Sequence, residues 1–318
     1  MVELNKRGVI YVSEKCQLSC KFCVLKNQIN KKPNSSISDL RIAILSLKEK
    51  YKLDYVDLAG AEPTLNPDLK EILEYCNEIE LKPAIVTNGQ LTKVIEKILP
   101  FLDDLVLSLH NVGNAYEEAT QVQGSWRNLR NTLKMLKNKN FKFRINCHVY
   151  LTNLTNLKNI VDLAAKYGAK IIDFIGFCGD EFENETVATY TQSAFAIKQA
   201  IDYAKKYPDL IVNVRWIPLC VMKGYESYVI DWHQWIYDQY SWNEASGNNF
   251  DLLSEEDYKK WIKFKTSLNY KKKECSACRN REICDGINIH YFARFLDKEF
   301  EPIEGELIND AMFYRRER

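Results

Sequence analysis

The 318-residue chain has almost no excess of charge of either sign: 44 lysines and arginines face 43 aspartates and glutamates, a formal net charge of +1. That removes the electrostatic case for nucleic acid as a partner, because phosphate binding needs a basic surplus or stripe. The run Lys271-Lys272-Lys273 reads as solvated surface. No stretch of about 18 consecutive apolar residues occurs, so no segment reads as membrane-spanning and no membrane partner is expected. No secretory signal is recognised, and no internal repeat appears at the periods of solenoid proteins. What the chain does have is a hydrophobic fraction of 46%, ample for a sizeable core, and ten cysteines. That many thiols without a secretory signal fit a reducing cytoplasm and metal chemistry better than a disulfide framework.

Three of the cysteines carry most of the information: Cys16-Gln-Leu-Ser-Cys20-Lys-Phe-Cys23, a C-x3-C-x2-C run. Three thiolates on one short loop suit three irons of a 4Fe–4S cube. The missing fourth ligand leaves one iron open, and an open metal position points to chemistry rather than scaffolding. Structural zinc is the competing reading, but zinc sites usually pair two-residue knuckles and supply four ligands. The run follows Gly8-Val9-Ile10-Tyr11-Val12-Ser13, a short β-branched segment that predicts a buried strand. Loops at the C-terminal ends of parallel barrel strands build active sites.

With Phe22 just before the third cysteine, this segment resembles the cluster loop of radical S-adenosylmethionine (radical SAM) enzymes. The resemblance implies that Cys16, Cys20 and Cys23 hold a 4Fe–4S cluster whose open iron binds SAM. The reduced cluster would then cleave SAM to methionine and a 5′-deoxyadenosyl radical that abstracts hydrogen from a substrate. Further landmarks follow in the family's order. Tyr55-Val56-Asp57-Leu58-Ala59-Gly60-Ala61-Glu62-Pro63 predicts a second strand running into a turn, where the family has Gly-Gly-Glu-Pro. The resemblance makes Glu62 and the backbone of Gly60 and Ala61 SAM ligands. An alanine in the second glycine's place is tolerable at negative φ and strained at positive φ. Pro83–Gly89 predicts the third strand, whose Thr-Asn-Gly ending resembles a SAM-facing motif and nominates Asn88, although a plain Asn-Gly turn also explains it. Leu105–His110 predicts the fourth strand. Ser108 is the family's SAM-side candidate there, and His110 reads as a satisfied barrel-lining histidine.

Phe143–Tyr150 predicts the fifth strand, with Arg144, Asn146 and His148 on one face and Ile145, Cys147 and Val149 on the other. A polar face on a strand buried from both sides is informative, and Arg144 and Asn146 are expected to line the SAM and substrate cavity. Lys170–Phe177 predicts the sixth strand. Amphipathic helices are expected at Asp68–Ile79, Trp126–Lys137 and Leu157–Tyr167. The fold class is thus α/β, a partial (β/α)6 barrel with a smaller C-terminal domain. The expected division is 1–205 for the radical SAM core and 206–318 for the second domain.

The C-terminal third holds a second run, Cys275-Ser-Ala-Cys278-Arg-Asn-Arg-Glu-Ile-Cys284-Asp-Gly286. With Cys220 from an apolar stretch upstream, these four would close a second 4Fe–4S cluster, zinc being the alternative. The arrangement resembles the auxiliary-cluster domains called SPASM and, when shortened, twitch. Cys76 and Cys147 read as small core residues. Cys178 follows the sixth strand and stays open between three roles: an auxiliary ligand in place of Cys220, a hydrogen-atom donor, or an inert thiol. The aromatic-rich Tyr225–Trp242 reads as a packed helix or a substrate wall, and Ser241–Asn249 as a loop or lid.

The resemblance implies an enzyme that oxidatively modifies a peptide, such as a ribosomal natural-product precursor, or a small metabolite, with a flavodoxin- or ferredoxin-type electron donor. The first strand starts about ten residues from Met1, which leaves no room for a leader-binding domain ahead of it and favours a small molecule slightly. The alternatives are a redox-neutral epimerase using Cys178 as hydrogen donor, and a non-catalytic iron–sulfur protein.

Overall fold

The computed structural model describes residues 7–23, 25–26, 28–31, 33–177, 186–230, 269–310 and 312–316. Seven parallel strands form one sheet in sequence order: β1 (Arg7–Ser13), β2 (Tyr55–Gly60), β3 (Lys82–Thr87), β4 (Asp104–Ser108), β5 (Phe143–His148), β6 (Ala169–Ile175) and β7 (Ile211–Arg215). Parallel neighbours need crossovers, and helices supply them: α1 (Ile37–Tyr51), α2 (Leu69–Glu78), α3 (Thr92–Ile98), α4 (Asn114–Thr120), α5 (Ser125–Asn138), α6 (Leu157–Tyr167) and α7 (Tyr190–Ala204). The strand order is linear, with β1 and β7 as its edges. The barrel is therefore partial, as the sequence predicts.

Strand residues are buried from both sides, which is why they read as apolar runs. Ile10, Val56, Leu58, Ile85, Leu105 and Ile145 are wholly inaccessible. The helices present apolar stripes to this layer, such as Leu69, Ile72, Leu73 and Cys76 on α2. Cys76 and Cys147 are both fully buried, the core positions expected of them. The seventh strand was not anticipated. Ile211–Arg215 is short, and its alternation of apolar and polar residues is too brief to separate from a loop. It pairs along its whole length with β6, Ile171 opposite Ile211 and Ile175 opposite Arg215, so the sheet continues past residue 205.

The C-terminal segment is sparse in regular structure: a two-residue antiparallel pair, β8 (Asn269–Tyr270) with β9 (Ile287–Asn288), then α8 (Ile289–Phe295). Tyr291 on α8 docks it on the barrel. Its ring stacks on Tyr190 at 4.0 Å between centroids, and its hydroxyl accepts the Tyr190 backbone N–H at 2.8 Å and donates to Glu299. The Glu299 carboxylate in turn takes the Thr191 N–H at 2.8 Å, a negative charge at the N-terminus of α7 where the helix dipole favours it. Tyr291→Phe keeps the ring but orphans a buried N–H, so urea unfolding should report a loss of about 1–3 kcal/mol. An unchanged midpoint would show that the hydroxyl does not fasten the two parts.

Candidate active site and second cysteine pocket

The first cysteine loop leaves the C-terminal end of β1 and is held from several sides. Ser19 and Lys21 donate their N–H groups to the carbonyls of Thr120 and Ala119, at 3.1 and 3.0 Å, on the last turn of α4. Asn30, at a left-handed φ of 63°, accepts from the Cys16 N–H at 3.3 Å and donates to the Cys16 carbonyl at 3.2 Å. Asparagine tolerates that conformation better than most residues, the only sequence signal that marks Asn30, and it was missed. Phe22 anchors the centre of the loop. It is 6% exposed and sits against Tyr150 and His110 at 4.8 and 4.6 Å between centroids, with His148 at 5.7 Å. The aromatic ring between Cys20 and Cys23 is thus a plug that seats the loop on the strand ends.

Glu62 lies at the centre of this frame, with no exposed surface. Its Oε1 accepts from the Thr64 N–H at 3.0 Å, the Thr64 hydroxyl at 2.5 Å and the Thr87 hydroxyl at 2.7 Å. Its Oε2 accepts the Asn88 N–H at 2.7 Å. Burial pushes the carboxyl above its usual range, while these donors favour the charged form. Three of the four bonds fall on one oxygen, so spare accepting capacity lies on Oε2. Gly60 is demanded by close approach: at φ 113° a Cβ there would meet the Ser13 carbonyl oxygen at 2.4 Å. Ala61 takes no positive φ, which explains why its methyl group is accepted, and its N–H donates to the same Ser13 carbonyl at 2.8 Å.

Asn88 reaches the thiol directly. Its Nδ2 donates to Cys16 Sγ at 3.6 Å and to Gln17 Oε1 at 3.3 Å. Ser108 and Asn146 are register partners in the C-terminal halves of β4 and β5, both half-buried. Arg144 goes elsewhere. It lies near the N-terminal ends of the strands, opposite to the cysteine loop, with Nε 2.6 Å from Asp104 and a more distant approach to Asp57. Arg7 pairs with Asp57 and Lys170 with Asp104 in the same group. The polar face of β5 is thus split: Arg144 belongs to an ion network and His148 to the plug around Phe22. His110 is the satisfied barrel-lining histidine expected, its Nδ1 accepting the His148 N–H at 2.9 Å.

Cys16, Cys20 and Cys23 form no disulfide; burial lifts the Cys16 thiol to about 11 and pushes Cys20 up as well, with the neighbouring thiols of the run adding to both shifts. Iron binding must therefore displace protons. The C-terminal set also converges. Cys220, Cys275, Cys278 and Cys284 line a single pocket enclosing about 380 Å3 of atom-free space, its open mouth included. Burial lifts Cys220 to about 12, with the other three thiols adding to the shift. The Ile303 N–H donates to Cys278 Sγ at 3.3 Å. Gly286 lets the loop close, since at φ 94° a Cβ would meet the Tyr270 carbonyl oxygen at 2.5 Å. Among the described residues, no three His, Cys, Asp or Glu side chains converge as a single ion requires; a cube instead takes one thiolate at each iron. The donor chemistry of both sets fits iron–sulfur clusters. Cys178, most of Tyr225–Trp242 and all of Ser241–Asn249 lie outside the described residues.

Residues 10–164 match the Radical SAM superfamily. This segment is a radical SAM domain. Mycofactocin maturase of Mycolicibacterium smegmatis is 27% identical over 160 residues, 49% of this chain and 41% of that protein. Among solved structures, Streptococcus suis SuiB bound to its precursor peptide SuiA aligns over 96% of this chain and 75% of that one, with a TM-score of 0.65 at 18% identity. The structure of anSMEcpe with bound AdoMet and a peptide aligns over 98% and 94%, with a TM-score of 0.62 at 15% identity. At these identities the structures establish the shared fold. The chain spans 33 to 63% of the length of the curated relatives it matches. No described helix is long and apolar enough to cross a membrane.

Within the radical SAM domain, burial pulls the pKa of His110 and of His148 down to about 3. A folded pKa below the unfolded value of about 6.5 means stability that is full above that pH and lost as pH falls toward the folded pKa. Resistance to urea unfolding should therefore fall as the pH drops from 7 to 5, and His110→Gln should flatten that slope. Equal slopes in wild type and variant would show that His110 does not titrate as a buried neutral ring. Arg144→Met should leave the Asp57 and Asp104 carboxylates near an unfilled cation position and cost about 3–5 kcal/mol. It should leave iron bound at the Cys16 loop unchanged; loss of that iron would put Arg144 in the site after all.

Proposed function

We propose that this chain is a radical SAM maturase that oxidatively modifies a peptide. The observation that carries the reading is the presence of two separate thiol sets on one body, three on the loop after β1 and four around the second pocket. When bound, the first cluster and SAM supply reductive cleavage to a 5′-deoxyadenosyl radical. In this reading Cys16, Cys20 and Cys23 hold the first cluster, with Phe22 seating their loop. Oε2 of Glu62 receives the ammonium of SAM, aided by the backbone of Gly60 and Ala61, while Ser108 faces SAM and Asn146 lines the SAM and substrate cavity. Cys220, Cys275, Cys278 and Cys284 hold an auxiliary 4Fe–4S cluster, the acceptor for the second electron that an oxidation releases. The shared pocket supports Cys220 as the fourth ligand. A functional division placed after β7, which belongs to the barrel sheet, rather than at residues 205 and 206, a flavodoxin- or ferredoxin-type donor and a cytoplasmic setting belong to the same proposal. The peptide class is supported by two relatives of the same fold, which hold peptides in their solved structures.

Anaerobically reconstituted protein should hold about eight irons per chain, and the Cys16/Cys20/Cys23→Ala triple variant about four. Full iron in the triple variant would remove the first site, and zinc at the C-terminal cysteines would remove the second. Reduced protein with SAM should release 5′-deoxyadenosine, and pools of short peptides should raise that rate while sugars and free amino acids do not. Stimulation by the small molecules alone would overturn the peptide reading.

A further inference from the structure

We infer that Asn88 is a positioning residue that sets the reduction potential of the cluster held by the Cys16 loop, acting through an N–H···S hydrogen bond to Cys16. This rests on the reading of that loop as the radical SAM cluster site. The orientation of the Asn88 amide is fixed by its surroundings. The backbone N–H of Gln90 can only donate, and it meets Asn88 Oδ1 at 3.1 Å. The oxygen therefore faces Gln90 and the NH2 group faces the loop. There Nδ2 donates to Cys16 Sγ at 3.6 Å and to Gln17 Oε1 at 3.3 Å, while Gln17 Nε2 returns a bond to Asn88 Oδ1 at 3.3 Å. The two amides clasp each other across the ends of β1 and β3 and hold one N–H on the sulfur. A second donor, the Leu18 N–H, meets the same sulfur at 3.4 Å. Asn88 is 9% exposed, so water competes little for these bonds.

The consequence follows from charge. Adding one electron to a cluster makes its thiolates more negative, and a donor aimed at sulfur stabilises that state more than the oxidised one. Removing the donor makes reduction harder. The backbone N–H of Asn88 bonds Glu62 Oε2 at 2.7 Å, so one residue touches both the carboxylate proposed for SAM and a thiolate proposed for iron. Side-chain substitutions leave that backbone bond in place, which separates the two roles.

The test is an anaerobic redox titration of reconstituted full-length protein, following by electron paramagnetic resonance the cluster signal that changes when SAM is added. In Asn88→Ala the ratio of reduced to oxidised cluster, at the wild-type midpoint, should fall about tenfold, which is about 59 mV for a one-electron couple. Asn88→Asp keeps the shape and the acceptor for Gln90 but puts a carboxylate beside the sulfur, and its midpoint should fall further. Should the alanine variant not fold by circular dichroism, the isosteric aspartate variant decides. Midpoints equal to or above wild type in the folded variants would overturn the inference while leaving the cluster reading intact. Wild-type protein with no SAM-responsive iron–sulfur signal would overturn both.

Discussion

The arrangement of the first site hangs on one buried carboxylate. Glu62 has no contact with water and gathers donors from the turn after β2 and from the end of β3. A carboxylate is costly to bury unless its lone pairs are engaged, and each donor it engages is thereby fixed in place. The ends of two neighbouring strands are locked relative to each other, and Asn88, held by its backbone, carries its side chain to Cys16. The cysteine loop is thus referenced to the sheet, although it contains almost no regular structure of its own.

The second pocket is built on a different principle. Among the described residues, its own buried apolar cluster, apart from the residues packed against the barrel, is Leu219, Ile283 and Ile308. Tyr291 fastens the C-terminal segment to the barrel's aromatic layer, while the Gly286 loop against β8 and backbone bonds of Ile303 and Ile308 with Arg279 hold it within itself. A cluster bound by four thiolates would add folding free energy where the chain supplies little. The ion network of Arg7, Asp57, Asp104, Arg144 and Lys170 plays the matching part at the opposite ends of the strands, where charges inside the sheet neutralise one another.

Fold class, six of the strands, three of the helices between them, and both cysteine runs were legible in the sequence. Each rests on local regularity: a buried parallel strand is a short β-branched run, an amphipathic helix repeats every 3.6 residues, and ligands on one loop have fixed spacing. The strand Ile211–Arg215 escaped because five residues, Ile-Val-Asn-Val-Arg, carry too little period. Sequence also separated the core cysteines Cys76 and Cys147 from the ligand candidates, since Cys76 falls within a helical stretch and Cys147 on the apolar face of β5. What only tertiary structure decided is which distant side chains meet. Arg144 and Asn146 stand two apart on one strand, yet Arg144 is drawn by the acidic residues of β2 and β4 to the far end, which no period reveals. Cys220 reaches the pocket of Cys275, Cys278 and Cys284 across a long stretch of chain. Asn88 finds Cys16 only because parallel strands set their C-terminal ends side by side, a closeness in space that residues 72 positions apart do not record in sequence.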